Sequence, residues 1–305
     1  MHNKTRLKAG NALRAVISLM RPKHYLKNFL IFVSIAFERT LFDYKTFLTV
    51  FSGFWAFSLL TSVVYIFNDI RDVDADRQHE WKRLRPIASG VIPIPAAVVT
   101  AIVLFIISFF VNACISDSQP DTFLIMLVYL TVNIGYSLGL KNIPLLDVVL
   151  LASGFLLRVL YGAALINSNV SAWVYMTVVS LAFYLGLGKR RNELKKAAGS
   201  GSTRKVLAFY SYEFLDKFMY LCLTCAVVFY ALWSADTKII EKYGTDKLVW
   251  TVPLVIVLLM KYSADIESDS YGDPVDVITH DKILLVLSAA FCLIIFLLLY
   301  HPIAI

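Results

Sequence analysis

The chain has 305 residues, of which 58% are hydrophobic and 17% charged, with a formal net charge of +7. That composition excludes an ordinary soluble domain and places the chain among polytopic membrane proteins. The positive charge lies between apolar segments, as membrane topology distributes it, and gives no ground for a nucleic-acid partner. Cys114, Cys222, Cys225 and Cys292 fall in or beside apolar stretches, which reads as buried helix positions rather than zinc or redox chemistry.

A spanning helix needs roughly 20 apolar residues. Nine candidates occur, near 25–38, 46–69, 94–115, 121–140, 144–166, 171–188, 215–235, 247–265 and 283–300, the first of them short. The predicted fold is therefore an all-α polytopic membrane bundle, one transmembrane domain over residues 1–305. No secretory signal peptide is expected. Pro144 is placed to start the fifth segment. Lys and Arg gather in the N-terminal region, after Asp76, at Lys141 and from Lys189 to Lys205, whereas the opposite turns hold only Arg39, Lys45, Lys238, Lys242 and Lys247. The asymmetry predicts a cytoplasmic N-terminus, an external C-terminus, and a cytoplasmic position for every loop with functional features.

The most charged run, NDIRDVDADRQHEWKRLRPIASG over 68–90, opens at the end of the second segment. Asn68, Asp72 and Asp76 are spaced i, i+4, i+8 and would share one face of a continuous helix, with Asp69 beside them. Converging hard oxygens suit Mg2+, which takes one or two carboxylates, keeps some waters and draws its other ligands from substrate phosphates. The cations Arg77, Lys82, Arg83 and Arg85 follow. Acid for the metal and base for phosphates together read as a diphosphate site. A solvated loop with internal ion pairs is the plainer alternative, but acids opening from an apolar helix are costly there and usually functional.

Four further places carry charge. Tyr136 and Lys141 end the fourth segment, where Lys141 either snorkels to the interface or reaches a phosphate. Arg158 lies inside GFLLRVLYG, so it should face the bundle interior and meet an anion, carbonyls or an acid such as Asp147. Gly154 and Gly162, four residues to either side, would admit another helix or a ligand on the same face. After the sixth segment comes GKRRNELKK, predicted as a loop in which Lys189 and Glu193, four apart, share a face and could cradle a phosphate, followed by a pliable AAGSGSTRK run that could close over a ligand. A purely topogenic basic cluster is the alternative there. The run from Asp265 to Lys282, with SYGDPVDVITHDK, reads as an acidic turn whose acids pair with the basic loops.

The NDxxDxxxD pattern at Asn68, Asp69, Asp72 and Asp76, with nine segments and the Tyr136 to Lys141 pattern, resembles the UbiA superfamily of intramembrane prenyltransferases. The resemblance implies a central cavity under a cytosolic loop cap, Mg2+ holding a diphosphate, and a lateral opening for an isoprenoid. Ordinary members carry a second Asp-rich motif after helix six, where this chain has KRRNEL. Together with RPKHYLKN at 21–28, YSLGLKN, GFLLRVLYG and GDPVDV, that difference makes the chain similar to the decaprenyl-phosphate phosphoribosyltransferase branch.

That branch implies transfer of 5-phosphoribose from 5-phosphoribosyl 1-diphosphate to a polyprenyl phosphate, for cell-envelope polysaccharide precursors. It implies a bacterial cytoplasmic membrane, membrane-lipid contact and a homo-oligomer. In this reading Asn68, Asp69, Asp72 and Asp76 hold Mg2+, and Asp72, Asp76, Lys189 and Glu193 carry the chemistry. Lys189, Arg190 and Glu193 border the donor. Lys27, Lys141 and Arg158 meet the acceptor phosphate, and Arg83 and Arg85 the donor phosphates. Arg77, Lys82 and Tyr136 complete the substrate-binding set. Two rival expectations are an ordinary prenyltransferase with an aromatic acceptor and a non-enzymatic carrier of anionic lipid.

Overall fold

In the computed structural model, residues 14–115, 119–200, 205–268, 277 and 280–301 are described. Eight helices have the length and composition of membrane spans: α1 (Tyr44–Arg71), α2 (Ile94–Ile115), α3 (Pro120–Leu138), α4 (Leu146–Leu165), α5 (Ala172–Ser200), α6 (Tyr212–Ala235), α7 (Val252–Ser268) and α8 (Lys282–Tyr300). No strand occurs among the described residues. The chain is a multi-pass membrane protein. Side-chain oxygens start several spans by accepting backbone N–H groups that the helix leaves free. Asp43 accepts from Thr46 N–H, Ser211 from Phe214 and Asp281 from Leu284.

The first predicted segment differs from the other eight. Residues Pro22–Phe32 form a 3-10 helix, followed by a short α-helix, Val33–Phe37. A 3-10 helix rises about 2 Å per residue against about 1.5 Å for an α-helix. Sixteen residues in this form therefore reach about 30 Å, the thickness of the hydrocarbon core. The segment begins at Arg21, paired with Asp69 near the end of α1, and leads to Thr40–Asp43, just before the start of α1. It thus runs beside α1 between the two ends of that helix, in addition to the eight α-helical spans among the described residues.

Close approach in the middle of the bundle depends on glycine. A Cβ on Gly162 of α4 would overlap the backbone of Ile31 in the 3-10 segment. The apolar core around this contact joins Ile31, Ile35, Phe57, Leu60, Tyr129, Leu157 and Tyr161.

Two boundaries correct the sequence expectations. Pro144 does not start the fifth segment: α4 begins at Leu146, after a 3-10 turn at Leu140–Asn142 and Leu145 at φ 68. Leu145 is held in that conformation because its N–H donates to the Tyr210 hydroxyl at 2.8 Å. The KRRNEL run is not a loop either, because α5 continues through it to Ser200. Its Lys, Arg, Glu and Leu residues are good helix formers, and two of its arginines are fixed by acids from neighbouring helices. Residues 201–204 of the predicted pliable run lie outside the described residues.

Candidate active site

The end of the bundle where α1, α3 and α5 finish and α4 begins encloses a cavity of about 270 Å³. Helix α1 contributes Val64, Tyr65 and Asn68, with Asp72 as its C-cap residue, and α4 contributes Gly154 and Arg158 on one face. The remaining charge comes from Arg21, His24 and Lys27 on the N-terminal side, Lys82 and Arg85 from the α1–α2 connection, Lys141 after α3 and Lys189 on α5. Among the described residues, seven lysines and arginines line this cavity against one carboxylate, Asp72. A low-dielectric pocket with this imbalance favours polyanions, since the cations are already oriented and partly desolvated.

The acidic motif divides at Asp72. Helix α1 stops at Arg71, Asp72 takes φ −95 and ψ 12, and a separate short helix, Val73–Gln78, follows. Asn68 and Asp72 line the cavity wall, whereas Asp76 is not among its lining residues and lies with Asp69, seven positions earlier. Asp76 and Asp69 are both buried, and Arg85 bridges them at 2.6 Å and 3.1 Å. Arg21 also pairs with Asp69. Asp72 instead meets Lys141 Nζ at 3.1 Å. Ser137 Oγ donates to Asn68 Oδ1 at 3.2 Å, which orients the amide. Asn68 and Asp72 are oxygen donors that fit Mg2+ shared with a substrate, which needs only one or two carboxylates from protein. Among the described residues no three His, Cys, Asp or Glu side chains gather as a metal cluster.

Arg158 is buried and satisfied by neighbours other than Asp147. It donates to Asn28 Oδ1 at 2.7 Å, to the Tyr129 hydroxyl at 3.1 Å and to the Gly154 carbonyl, and its guanidinium lies 5.0 Å from the Tyr129 ring centroid. No acid is among these partners, so Arg158 brings positive charge to the cavity floor. Asp147 belongs to Arg190, which donates to it at 2.5 Å, both side chains being 0% exposed. Arg190 also donates to Glu193 and to the Tyr136 hydroxyl at 3.0 Å. The predicted donor contact of Arg190 is thus replaced by an internal role: its guanidinium is used up between α3, α4 and α5, and Glu193 faces Arg190. Its neighbour Lys189 points into the cavity.

Tyr210, just before α6, closes the same network from outside the spans. Its hydroxyl donates to Asp147 Oδ1 at 2.6 Å and accepts from Leu145. Burial, with the hydrogen bond to Asp147, pushes it up to about 12. Arg77 and Arg83 do not line the cavity: both are exposed, and Arg77 pairs with Asp74. On the acidic side, Asp265 and Asp281 both pair with Lys261 of α7, and Lys195 donates to the Glu267 carbonyl at 3.0 Å. The Lys261 donation, with the Leu284 N–H, holds the Asp281 carboxyl below its usual range. Of GDPVDV, only Val277 lies within the described residues.

Residues 29–260 match the model of the UbiA prenyltransferase family. The chain belongs to this family. Among UbiA relatives, the decaprenyl-phosphate phosphoribosyltransferase of Corynebacterium glutamicum is 32% identical over 301 residues, covering 96% of this chain and 89% of that protein. The Mycobacterium tuberculosis protein of the same name is 32% identical over 287 residues, covering 92% and 93%. The structure of a UbiA homolog from Archaeoglobus fulgidus bound to GPP and Mg2+ has a TM-score of 0.69 at 20% identity, covering 93% of this chain and 99% of that one. At that identity the likeness shows the UbiA fold.

Several UbiA cavity residues escaped sequence reasoning. Arg21 read as topogenic charge before a first span, and His24, Tyr129, Asn133 and Ser137 were not singled out as site residues. The spacing of Tyr129, Asn133 and Tyr136 on α3, i, i+4 and i+7, is a usable signal for a polar stripe. Arg21 carried no such signal, because its partner Asp69 is 48 positions away.

Proposed function

We propose that the chain transfers the 5-phosphoribosyl group of 5-phosphoribosyl 1-diphosphate to a polyprenyl phosphate and releases diphosphate. The carrying observation is the cavity itself, with seven cationic side chains and one carboxylate among the described residues. A prenyl diphosphate with a neutral aromatic acceptor brings one anionic group. A phosphoribosyl donor and a lipid phosphate bring three, and this lining suits that load. The names of the two relatives described above support the same reaction class.

The residues then divide by position. Asn68 and Asp72 would hold Mg2+ against the diphosphate, and the ion would neutralise charge on the departing group. Asp69 and Asp76, clamped by Arg85 and Arg21, shape the wall behind them. Lys82, Arg85 and Lys189 take the donor phosphates near the cavity mouth. Lys27, Lys141 and Arg158 take the acceptor phosphate, with Arg158 deepest and already oriented by Asn28 and Tyr129. A phosphate oxygen of the acceptor bonds to C1 of the ribose as the C1–O bond to diphosphate breaks, through an oxocarbenium-like transition state as in glycosyl transfer. The attacking phosphate is already an anion at neutral pH, so positioning and electrostatics replace a strong base.

The positive-inside asymmetry supports a cytoplasmic position for the cavity end, where a soluble donor would reach it, and the names of the relatives support a bacterial cytoplasmic membrane. The test is transfer of label from 5-phosphoribosyl 1-diphosphate to a polyprenyl phosphate by purified protein, with and without Mg2+. Labelled lipid formed only with Mg2+ is the expected result. Turnover of a prenyl diphosphate instead would assign the ordinary prenyltransferase reaction, and inactivity with both donors would favour a carrier.

A further inference from the structure

The connection between α1 and α2 has two unlike edges. Residues 81–85 wind around one 3-10 turn, in which Leu84 N–H donates to the Trp81 carbonyl and Arg85 N–H to the Lys82 carbonyl. In a 3-10 turn the side chains at i and i+3 eclipse. Lys82 and Arg85 form one such pair, and both line the cavity. Trp81 and Leu84 form the other, and they are 71% and 70% exposed. A large aromatic and a leucine exposed on one edge of a charged loop need an apolar neighbour.

The position of the loop says which neighbour. It joins two spans that pack along each other, and its short helix starts immediately after α1 ends, so both ends of the connection lie at the membrane surface. Ile92 N–H donates to the Pro86 carbonyl at 2.9 Å, which folds the second half of the loop back toward the 3-10 turn. From there the exposed apolar surface continues through Val91 and Ile94 to Val98, Val99 and Ile102 on α2, the lipid-facing side of a span. Arg77 and Arg83 are exposed beside the apolar edge, the first partly offset by Asp74, with Glu80 also exposed. Tryptophan with basic neighbours is the side-chain set of the membrane interface.

The geometry points to a membrane anchor in this loop: Trp81 and Leu84 insert into the headgroup layer of the bilayer that holds the spans. Because Lys82 and Arg85 sit on the next edge of the same turn, this insertion fixes them over the cavity mouth. The loop is held by lipid on one side and by Asp69 and Asp76, through Arg85, on the other. A bilayer-anchored cap leaves its cations at the depth where the phosphate of a lipid lies.

The experiment uses the full chain in vesicles of phosphatidylcholine and phosphatidylglycerol. Tryptophan emission of the wild type minus that of Trp81→Phe isolates Trp81 from the other tryptophans. Lipids brominated on acyl carbons near the ester should quench the difference signal about twofold, as for a side chain about 5–10 Å into the headgroup boundary. Adding Leu84→Trp to the Trp81→Phe protein should restore a quenched signal, since that position lies on the same edge. Emission from both positions that brominated lipid leaves unchanged, with the protein folded, would overturn the anchor. The readout requires no turnover, so its failure is distinct from failure of the proposed reaction.

Discussion

Lys141 Nζ lies 3.1 Å from Asp72 Oδ2 across the cavity wall, a contact between residues 69 positions apart. The carboxylate best placed for a metal is therefore held by a cation until a ligand competes for either partner. Lys141→Ala should leave Asp72 less compensated, so that Mg2+ raises the unfolding temperature at lower concentration than in the wild type. Turnover should fall about 10- to 100-fold, the scale of one hydrogen bond to a charged group. Asp72→Ala should abolish both the Mg2+ shift and transfer while the protein stays folded in detergent. Near wild-type turnover in Asp72→Ala would remove the metal role.

Arg85 holds two buried carboxylates at once, and this predicts a stability cycle. Removing one partner of a buried pair leaves charge without compensation, at about 3–5 kcal/mol. Asp69 keeps Arg21, so the larger effect falls on Asp76. Arg85→Ala should lower stability sharply, and adding Asp76→Asn should recover part of the loss, because the orphaned charge is then gone. Denaturant melts of the single and double variants in the same detergent measure this. A double variant less stable than Arg85→Ala would show that the pair does not act through its charges.

The acidic motif shows which parts of the site could be read in advance. Asn68 and Asp72 were legible because a spacing of four within one helix places side chains on one face. Asp76 was not, because its pairing with Arg85, shared with Asp69, comes from the following loop and is not carried by spacing within the helix. The spans were legible from apolar length, and the first segment was readable as short but not as a 3-10 helix. Arg158 was legible as an inward-facing cation because lipid excludes it. Its partner was not, since Asp147 is drawn to Arg190 across the α4–α5 contact. The KRRNEL run misled because a basic cluster after a span resembles a topogenic loop, and the acids that fix its arginines, Asp147 and Asp216 from α4 and α6, are far away in the sequence.

Gly162 tests the close passage of the 3-10 segment past α4. An added Cβ would overlap the Ile31 backbone, which has no rotamer by which to yield. Overpacking of this kind costs about 1–3 kcal/mol. Gly162→Ala should lower the unfolding temperature, whereas Gly154→Ala, whose Cβ would meet only Arg158 Nη1 at 3.4 Å and the Tyr129 ring at 4.0 Å, should disturb the fold less. Equal losses in thermal melts would contradict the asymmetry.

Tyr210 gives the network around Asp147 an alkaline limit. Its hydroxyl is raised from 10.0 to about 12, so the folded state holds the proton more tightly than the unfolded chain. The stability it contributes is fully present below the unfolded value of 10.0 and is lost as pH rises toward about 12. Comparing alkaline melts of wild type and Tyr210→Phe isolates this from the other tyrosines. The variant should be less stable at neutral pH and lose less stability across that window. Parallel pH profiles would show that Tyr210 does not titrate in it.

Lys189 and Arg190 are adjacent on α5 and should fail in opposite ways. Lys189 lines the cavity, so Lys189→Ala should leave the unfolding temperature near that of the wild type. It should raise the apparent KM for the phosphoribosyl donor more than that for the lipid acceptor, as loss of a ground-state contact does. A larger effect on the acceptor would reassign this lysine to the lipid phosphate. Arg190 is fully buried against Asp147 and steadies Tyr136. Arg190→Ala should therefore destabilise by about 3–5 kcal/mol, the cost of an orphaned buried carboxylate. Arg190→Met combined with Asp147→Leu should be milder, because no charge is left in the interior. If that double variant folds and Tyr136 is only held in place by Arg190, its turnover should fall with both KM values little changed. A raised donor KM would mean that Arg190 meets the donor directly and is released from Asp147 during the reaction.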